Sequence, residues 1–114
     1  MNPTEKKGRL GEFIAALLLK IKGYKILARR YKTPCGEIDI IAQKDNIIAF
    51  IEVKSRKTIE KCHNAVAQKQ LKRIQRASEI FLERHRNLCQ NFRRYDVVLV
   101  ADWKFPTHIK NISI

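Results

Sequence analysis

Two β-rich runs do most to limit how this chain can fold. Glu37–Gln43 and Ile47–Lys54 flank Lys44-Asp45-Asn46, which is a hairpin signal. Side chains on a strand alternate faces. Ile47, Ala49, Ile51 and Val53 therefore take one face, and Ile48, Phe50, Glu52 and Lys54 take the other. An acid and a base end an otherwise apolar strand, pointing the same way. If Asp45-Asn46 is a two-residue turn, Lys44 faces Ile47, Ala42 faces Ala49 and Ile40 faces Ile51. The same register sets Asp39 against Glu52 and Glu37 against Lys54. Directly opposed Cβ atoms sit ~4.5–5.5 Å apart, and like charges so placed are destabilising. Something positive belongs between Asp39 and Glu52.

A divalent cation is one occupant. Mg²⁺ takes oxygen ligands and keeps several waters, so one or two carboxylates suffice. Asp39 and Glu52 would each give an oxygen and the Val53 carbonyl a third, with Lys54 beside the ion to orient a water or to stabilise charge growing on a phosphorus centre. The alternative is that Glu52 and Lys54 form solvated cross-strand pairs at the hairpin end. Both readings fit the spacing.

The rest of the chain divides into helices and strands without a linker, repeat or low-complexity stretch, as expected for one domain over residues 1–114. A first helix spans about Thr4 to Lys22 and stops at Gly23. Leu10, Phe13, Ile14, Leu17, Leu18 and Ile21 form its inward face, with Glu12, Ala16 and Leu19 on the other side. A helix this apolar on both sides is expected to be half-sandwiched. Tyr24–Arg30 reads as a strand and Thr33–Gly36 as a turn. Ser55–His63 reads as a loop. A second helix runs from about Asn64 to Arg86, with Ala67, Leu71, Ile74, Ser78, Phe81 and His85 inward and Lys69, Lys72, Arg73 and Arg76 opposite. Tyr95–Val100 is a buried strand, and Ile109–Ile114 an edge strand. The order αβββαββ predicts an α/β sandwich around one central mixed sheet.

Charge points to the partner. Lys and Arg number 24 against 11 Asp and Glu, a formal net charge of +13. Such an excess favours a polyanion, and nucleic acid is the commonest. No apolar run approaches the ~20 residues of a membrane span, and no secretory signal opens the chain. Cys35, Cys62 and Cys89 show no CxxC spacing, so free thiols and a cytoplasmic setting are the expectation.

At Asp39 and Glu52-Val53-Lys54 the chain resembles the D…ExK core of the PD-(D/E)XK nuclease superfamily. More closely, it is similar to the YraN-like family of small bacterial proteins, predicted endonucleases related to Holliday-junction resolvases. The matching pieces are Gly8-Arg9-Leu10-Gly11-Glu12, Gly23-Tyr24-Lys25-Ile26-Leu27, Gly36-Glu37-Ile38-Asp39-Ile40-Ile41-Ala42, Phe50-Ile51-Glu52-Val53-Lys54-Ser55-Arg56, a second helix with Lys69, and Arg94-Tyr95-Asp96-Val97-Val98. Ile38 stands where the superfamily's name has proline. The resemblance implies a restriction-endonuclease-like sandwich. It implies that Asp39 and Glu52 bind Mg²⁺ or Mn²⁺, that Lys54 assists catalysis, and that Glu12 completes the site. It also implies a basic role for Lys69 and, by analogy, a homodimer.

These readings lead to one principal expectation, a metal-dependent endonuclease acting on DNA, branched or structured DNA included. Arg29, Arg30, Lys32, Arg56, Lys57, Lys69, Lys72, Arg73 and Arg76 would hold the nucleic-acid backbone. The alternatives are a non-catalytic nucleic-acid-binding module and an interaction subunit of a DNA-processing complex. Other residues receive plainer roles. Glu12 also fits as an exposed acid near a helix N-terminus. Asp96 is expected to cap or to pair with an Arg. Cys62-His63 lacks the further ligands of a zinc site. Trp103 and Phe105 are expected to pack at the core or an edge.

Overall fold

The computed structural model describes residues 3–56, 68–102 and 104–112, without the side chains of 3–7, 68 and 69. Helix α1 covers Pro3–Ile21, strand β1 Lys25–Thr33, β2 Gly36–Lys44 and β3 Ile47–Arg56. Helix α2 covers Gln68–Arg84, a 3-10 turn Arg86–Leu88, β4 Phe92–Ala101 and β5 Thr107–Ile109. The five strands lie side by side in chain order. All neighbours are antiparallel except β3 and β4, which run parallel with α2 in the connection between them. This is the expected αβββαββ sandwich around one mixed sheet.

Each helix closes one face. Ala15, Ala16 and Leu19 of α1 pack on Ile40, Ala42, Ala49, Ile51, Val98 and Val100. Ile74, Ala77, Phe81 and Leu82 of α2 pack on Ile38, Ile41, Ile48 and Phe50. The expected inward residues Leu71, Ile74, Ser78 and Phe81 are buried. Ala67 and the start of the predicted helix, from Asn64, lie outside the described residues, as does most of the predicted Ser55–His63 loop. Ser55 and Arg56 themselves extend β3.

The hairpin follows the expected register. Asp45-Asn46 is a two-residue turn with Asp45 in the left-handed region at φ 54°. Pairing runs from Lys44 with Ile47 to Ile40 with Ile51.

Three expectations need correction. The first concerns α1. Leu10, Phe13, Leu17 and Ile21 are exposed by 59%, 57%, 48% and 76%, so the largest apolar residues of the predicted inward face point out. Small residues decide the orientation. Gly11, Ala15 and Ala16 let the helix axis come close to the sheet: a Cβ on Gly11 would stand 2.9 Å from Ser55 Oγ. Burying Phe13 and Leu17 there would force the helix away from β3. The second concerns β5, which is Thr107–Ile109 rather than Ile109–Ile114. The chain after it turns back, and the Ile112 N–H donates to Tyr95 O at 2.7 Å. The third concerns Phe105, which is 95% exposed and packs in no core, while Trp103 lies outside the described residues.

Candidate active site

The predicted opposition of Asp39 and Glu52 is resolved by parting the strands. The β2–β3 ladder stops at Ile40 and Ile51, one residue short of the two acids. Asp39 Oδ2 instead accepts the Val53 N–H at 2.8 Å. Glu37 and Lys54 likewise lie beyond the end of that ladder, and on its other side Glu37 pairs with Lys32 on β1. The physical reason is the one that made the opposition costly: two carboxylates do not share a ladder position, and a backbone N–H is a better neighbour.

A shared irregularity in β1 and β2 aims the site. Ile38 and Ile41 are three residues apart yet face the same helix, and so do Ala28 and Tyr31. Alternation therefore slips in both strands at Asp39–Ile40 and Arg29–Arg30. Arg30 takes φ 52° there, in the left-handed region that arginine rarely adopts. Such strain costs about 1–3 kcal/mol and persists only where the surroundings impose it. The side chain of Arg30 is held by a partner there. Arg30 Nε and Nη2 donate to the two Glu12 oxygens at 2.8 and 3.2 Å.

Glu12 comes from α1, brought near by the Gly11 contact with Ser55. Gly8, Glu12, Asp39, Glu52, Val53, Ser55 and Arg56 line one cavity of about 270 Å³. Lys54 is buried, with its Nζ 3.1 Å from Glu52 Oε1. Three sequence-predicted acids and the predicted lysine are thus gathered at the end of the sheet where β2 and β3 separate. A larger cavity of about 440 Å³ between α1 and β4 is mostly apolar, with Asp102 and Lys104 as its charged residues.

The electrostatics follow from this crowding. Burial and then the Glu52 carboxylate push Asp39 from 3.8 up to about 7, against the opposing Val53 hydrogen bond. Glu52 is ion-paired with Lys54, while Asp39 has the Val53 N–H against it and is disfavoured as a carboxylate. Oxygen donors of this kind suit a hard divalent cation, and two of them suffice for Mg²⁺. Glu12 stands further off in role, because its oxygens are taken by Arg30. Among the described residues no group of three or more His, Cys, Asp or Glu side chains stands close enough to hold a metal ion. Asp39 and Glu52, with Val53 at the cavity wall, are the residues that could hold one.

The comparisons with known proteins bear on the chain at this point. The family described as "Uncharacterised protein family UPF0102" matches residues 11–100. A UPF0102 protein of Chelativorans sp. (strain BNC1) is 42% identical over 107 residues, covering 94% of this chain and 86% of that protein. One of Sinorhizobium medicae is 44% identical over 104 residues, 91% of this chain and 85% of the relative. The chain belongs to the UPF0102 family. The UPF0102 match begins beside Glu12 and spans Asp39, Glu52 and Lys54; Arg9 precedes it and His108 follows it.

The basic residues of this UPF0102 chain divide by surroundings. Arg56 lines the acid-containing cavity and donates from Nη1 to Ser55 O at 2.9 Å. Lys72, Arg73 and Arg76 are exposed on α2. The Arg73 stem lies over the β1–β2 turn, where a Cβ on Gly36 would come within 2.6 Å of Arg73 Cδ. That turn is at the carboxylate end of the sheet. Arg29 and Lys32 are exposed on β1, while Arg30 is engaged by Glu12. Lys57 lies outside the described residues, and the Lys69 side chain is not described.

Asp96 has the structural role expected of it, with more partners than one arginine. Arg94 donates to both its oxygens at 2.9 and 2.8 Å, His108 Nε2 lies 2.8 Å from Oδ2, and the Asn111 N–H donates at 3.0 Å. Burial alone would raise its pKa, but these hydrogen bonds outweigh it and hold Asp96 at about 2. Arg94 also donates to the Tyr24 hydroxyl, and Lys22 reaches His108 Nδ1. No spacing in the sequence signals that His108 completes this network. It becomes legible only once β5 is laid beside β4.

Proposed function

We propose that this UPF0102 protein is a metal-dependent endonuclease of the PD-(D/E)XK kind, hydrolysing phosphodiester bonds in DNA, branched or structured DNA included. The observation that carries this reading is the convergence of Asp39 and Glu52 in one cavity with Arg56 at the parted end of β2 and β3, with buried Lys54 ion-paired to Glu52. Stability alone gives no reason to bury a carboxylate until its pKa nears 7. The YraN-like resemblance supports the same assignment.

In this reading Asp39 and Glu52 hold Mg²⁺ or Mn²⁺. When bound, the ion supplies Lewis-acid stabilisation of charge on the phosphate. The protein's own residues do the rest. The Val53 N–H fixes the Asp39 carboxylate. The Lys54 ammonium, held against Glu52, is placed to orient a water and to offset negative charge growing on the phosphate oxygens. Arg30 holds Glu12 beside them, as an accessory acid. A cytoplasmic setting with free thiols belongs to this reading.

One observation favours a second reading, a non-catalytic nucleic-acid-binding module. Glu12 and Glu52 are each neutralised by a protein cation, and no three-residue ligand set forms among the described residues.

The deciding test is cleavage of linear, flapped and four-way DNA with Mg²⁺, Mn²⁺ or EDTA. Metal-dependent cutting that falls by about 100-fold or more in Asp39→Asn, Glu52→Gln and Lys54→Met is the expected result, in the range for loss of one group that stabilises developing charge. Cutting that survives all three substitutions refutes the site. Salt-sensitive binding without cutting or metal affinity establishes the binding module.

A further inference from the structure

Beside the acid-containing cavity lies a second one of about 310 Å³, lined by Arg9, Arg29 and Arg30. Arg9 comes from α1, a turn before Glu12, and Arg29 from β1, at the strand irregularity that aims Arg30. Glu12 takes two hydrogen-bond donors of Arg30, so one positive charge of the three is balanced. Arg9 and Arg29 are exposed, and among the described residues neither makes a hydrogen bond or an ion pair. Two uncompensated guanidinium groups thus face one hollow, and Arg30 in its wall is bonded to Glu12 in the wall of the cavity that holds Asp39 and Glu52. A planar guanidinium offers paired donors that match phosphate oxygens bidentately, which a lysine does not.

The geometry points to Arg9 and Arg29 as a phosphate subsite for one nucleic-acid strand, holding a backbone phosphate adjacent to the one that enters the carboxylate cavity. This inference rests on the reading of the chain as acting on nucleic acid. It adds a direction: the strand crosses from the carboxylates over the Glu12–Arg30 bridge to the two arginines. Glu12 then acts as a positioning residue as well. By pairing Arg30, it leaves the phosphate to its neighbours and forms the ridge between the two cavities. The ligand is a phosphodiester within a strand, rather than a free phosphate, because the second cavity opens beside the first.

The test uses the full chain and a short fluorescein-labelled single-stranded oligonucleotide, with Ca²⁺ in place of Mg²⁺ so that binding is read without turnover. Anisotropy titrations across a salt series give the slope of log affinity against log salt. Arg9→Ala and Arg29→Ala should each weaken binding several-fold and lower that slope by about one, the signature of one lost phosphate contact. Arg86→Ala, at an exposed arginine on the 3-10 turn, should leave the slope unchanged. Inorganic phosphate at matched ionic strength should compete weakly. Equal slopes in wild type, Arg9→Ala and Arg29→Ala overturn the inference. So does an equal fall in Arg86→Ala, a wild type that does not bind, or full competition by inorganic phosphate. The outcome is separable from that of the catalytic reading. A protein with arginine-dependent slopes that never cuts with Mg²⁺ loses its nuclease assignment and keeps the subsite. A protein that cuts with unmoved slopes loses only the subsite.

Discussion

Asp39 is the residue at which stability and proposed chemistry pull apart. Its pKa is raised from 3.8 to about 7, so the folded state binds this proton more tightly than the unfolded chain does. The stability that this proton confers is fully present below about pH 4 and is lost as pH rises through 7. Asp39→Asn keeps an acceptor for the Val53 N–H and carries no charge. The variant should therefore match wild type at about pH 4 and exceed it at pH 8, by about 1–3 kcal/mol, a partial share of the ~1.4 kcal/mol per pKa unit. Urea denaturation at the two pH values reads this out. A divalent ion that binds Asp39 competes with the same proton. Mg²⁺ should raise the wild-type Tm at pH 8 and leave Asp39→Asn unmoved. An equal rise in both proteins would place the ion elsewhere. This charge conflict was legible in the sequence, because the turn at Asp45-Asn46 sets the register that nearly opposes Asp39 and Glu52. Its resolution was not. The Asp39–Val53 bond accompanies a break in alternation beside Arg30, whose side chain is held by Glu12 from a helix distant in sequence.

At the scale of elements, α1 shows why hydrophobic periodicity can select the wrong face. The pattern picks out Leu10, Phe13 and Leu17 by size, but the close approach of α1 to β3 selects Gly11, Ala15 and Ala16. Two glycines on this helix should respond to alanine with opposite signs. Gly8→Ala meets nothing within 4 Å and should gain the ordinary ~0.5–1 kcal/mol of replacing a helical glycine. Gly11→Ala meets Ser55 Oγ at 2.9 Å and Cβ at 3.0 Å, and should lose about 1–3 kcal/mol from overpacking. Thermal or urea melts check both, and Ser55→Gly should recover part of the Gly11→Ala loss. Equal gains in the two alanine variants would mean that α1 does not rest on β3 here. The β4–β5 junction makes a separate demand. Asp96→Asn leaves Arg94 and His108 without their buried counter-charge and should cost about 3–5 kcal/mol, independent of metal. Because the Asp96 pKa is held below its unfolded value, that contribution is present above about pH 4 and fades as pH falls toward 2. The α/β order and the hairpin were readable from period and turn residues. The short β5 and the role of His108 were not, since both depend on where the chain returns after Ala101.

Across the whole molecule, the net charge of +13 makes the few carboxylates the informative ones. Arg9 and Gly8 lie on α1 at the end of the sheet that holds Asp39. Arg29 and Arg30 sit on the neighbouring strand, Arg56 ends β3, and Arg73 on α2 reaches over the β1–β2 turn at that same end. In the proposed reading, a phosphate backbone drawn to this surface meets two acids at its centre. Without metal, those acids repel it; with a divalent ion between them, the repulsion becomes attraction. The double variant Asp39→Asn/Glu52→Gln should therefore bind an oligonucleotide more tightly than wild type in EDTA, by roughly 5–10-fold, a ~1 kcal/mol gain typical of charges near a surface. In Ca²⁺ the order should close or reverse, because only wild type gains the bridging ion. A pure binding surface predicts the first difference and not the second: the variant would stay tighter with and without the ion. The crossover is measurable by anisotropy without any cleavage, so it separates a metal-using phosphate site from a basic surface that merely contains two acids.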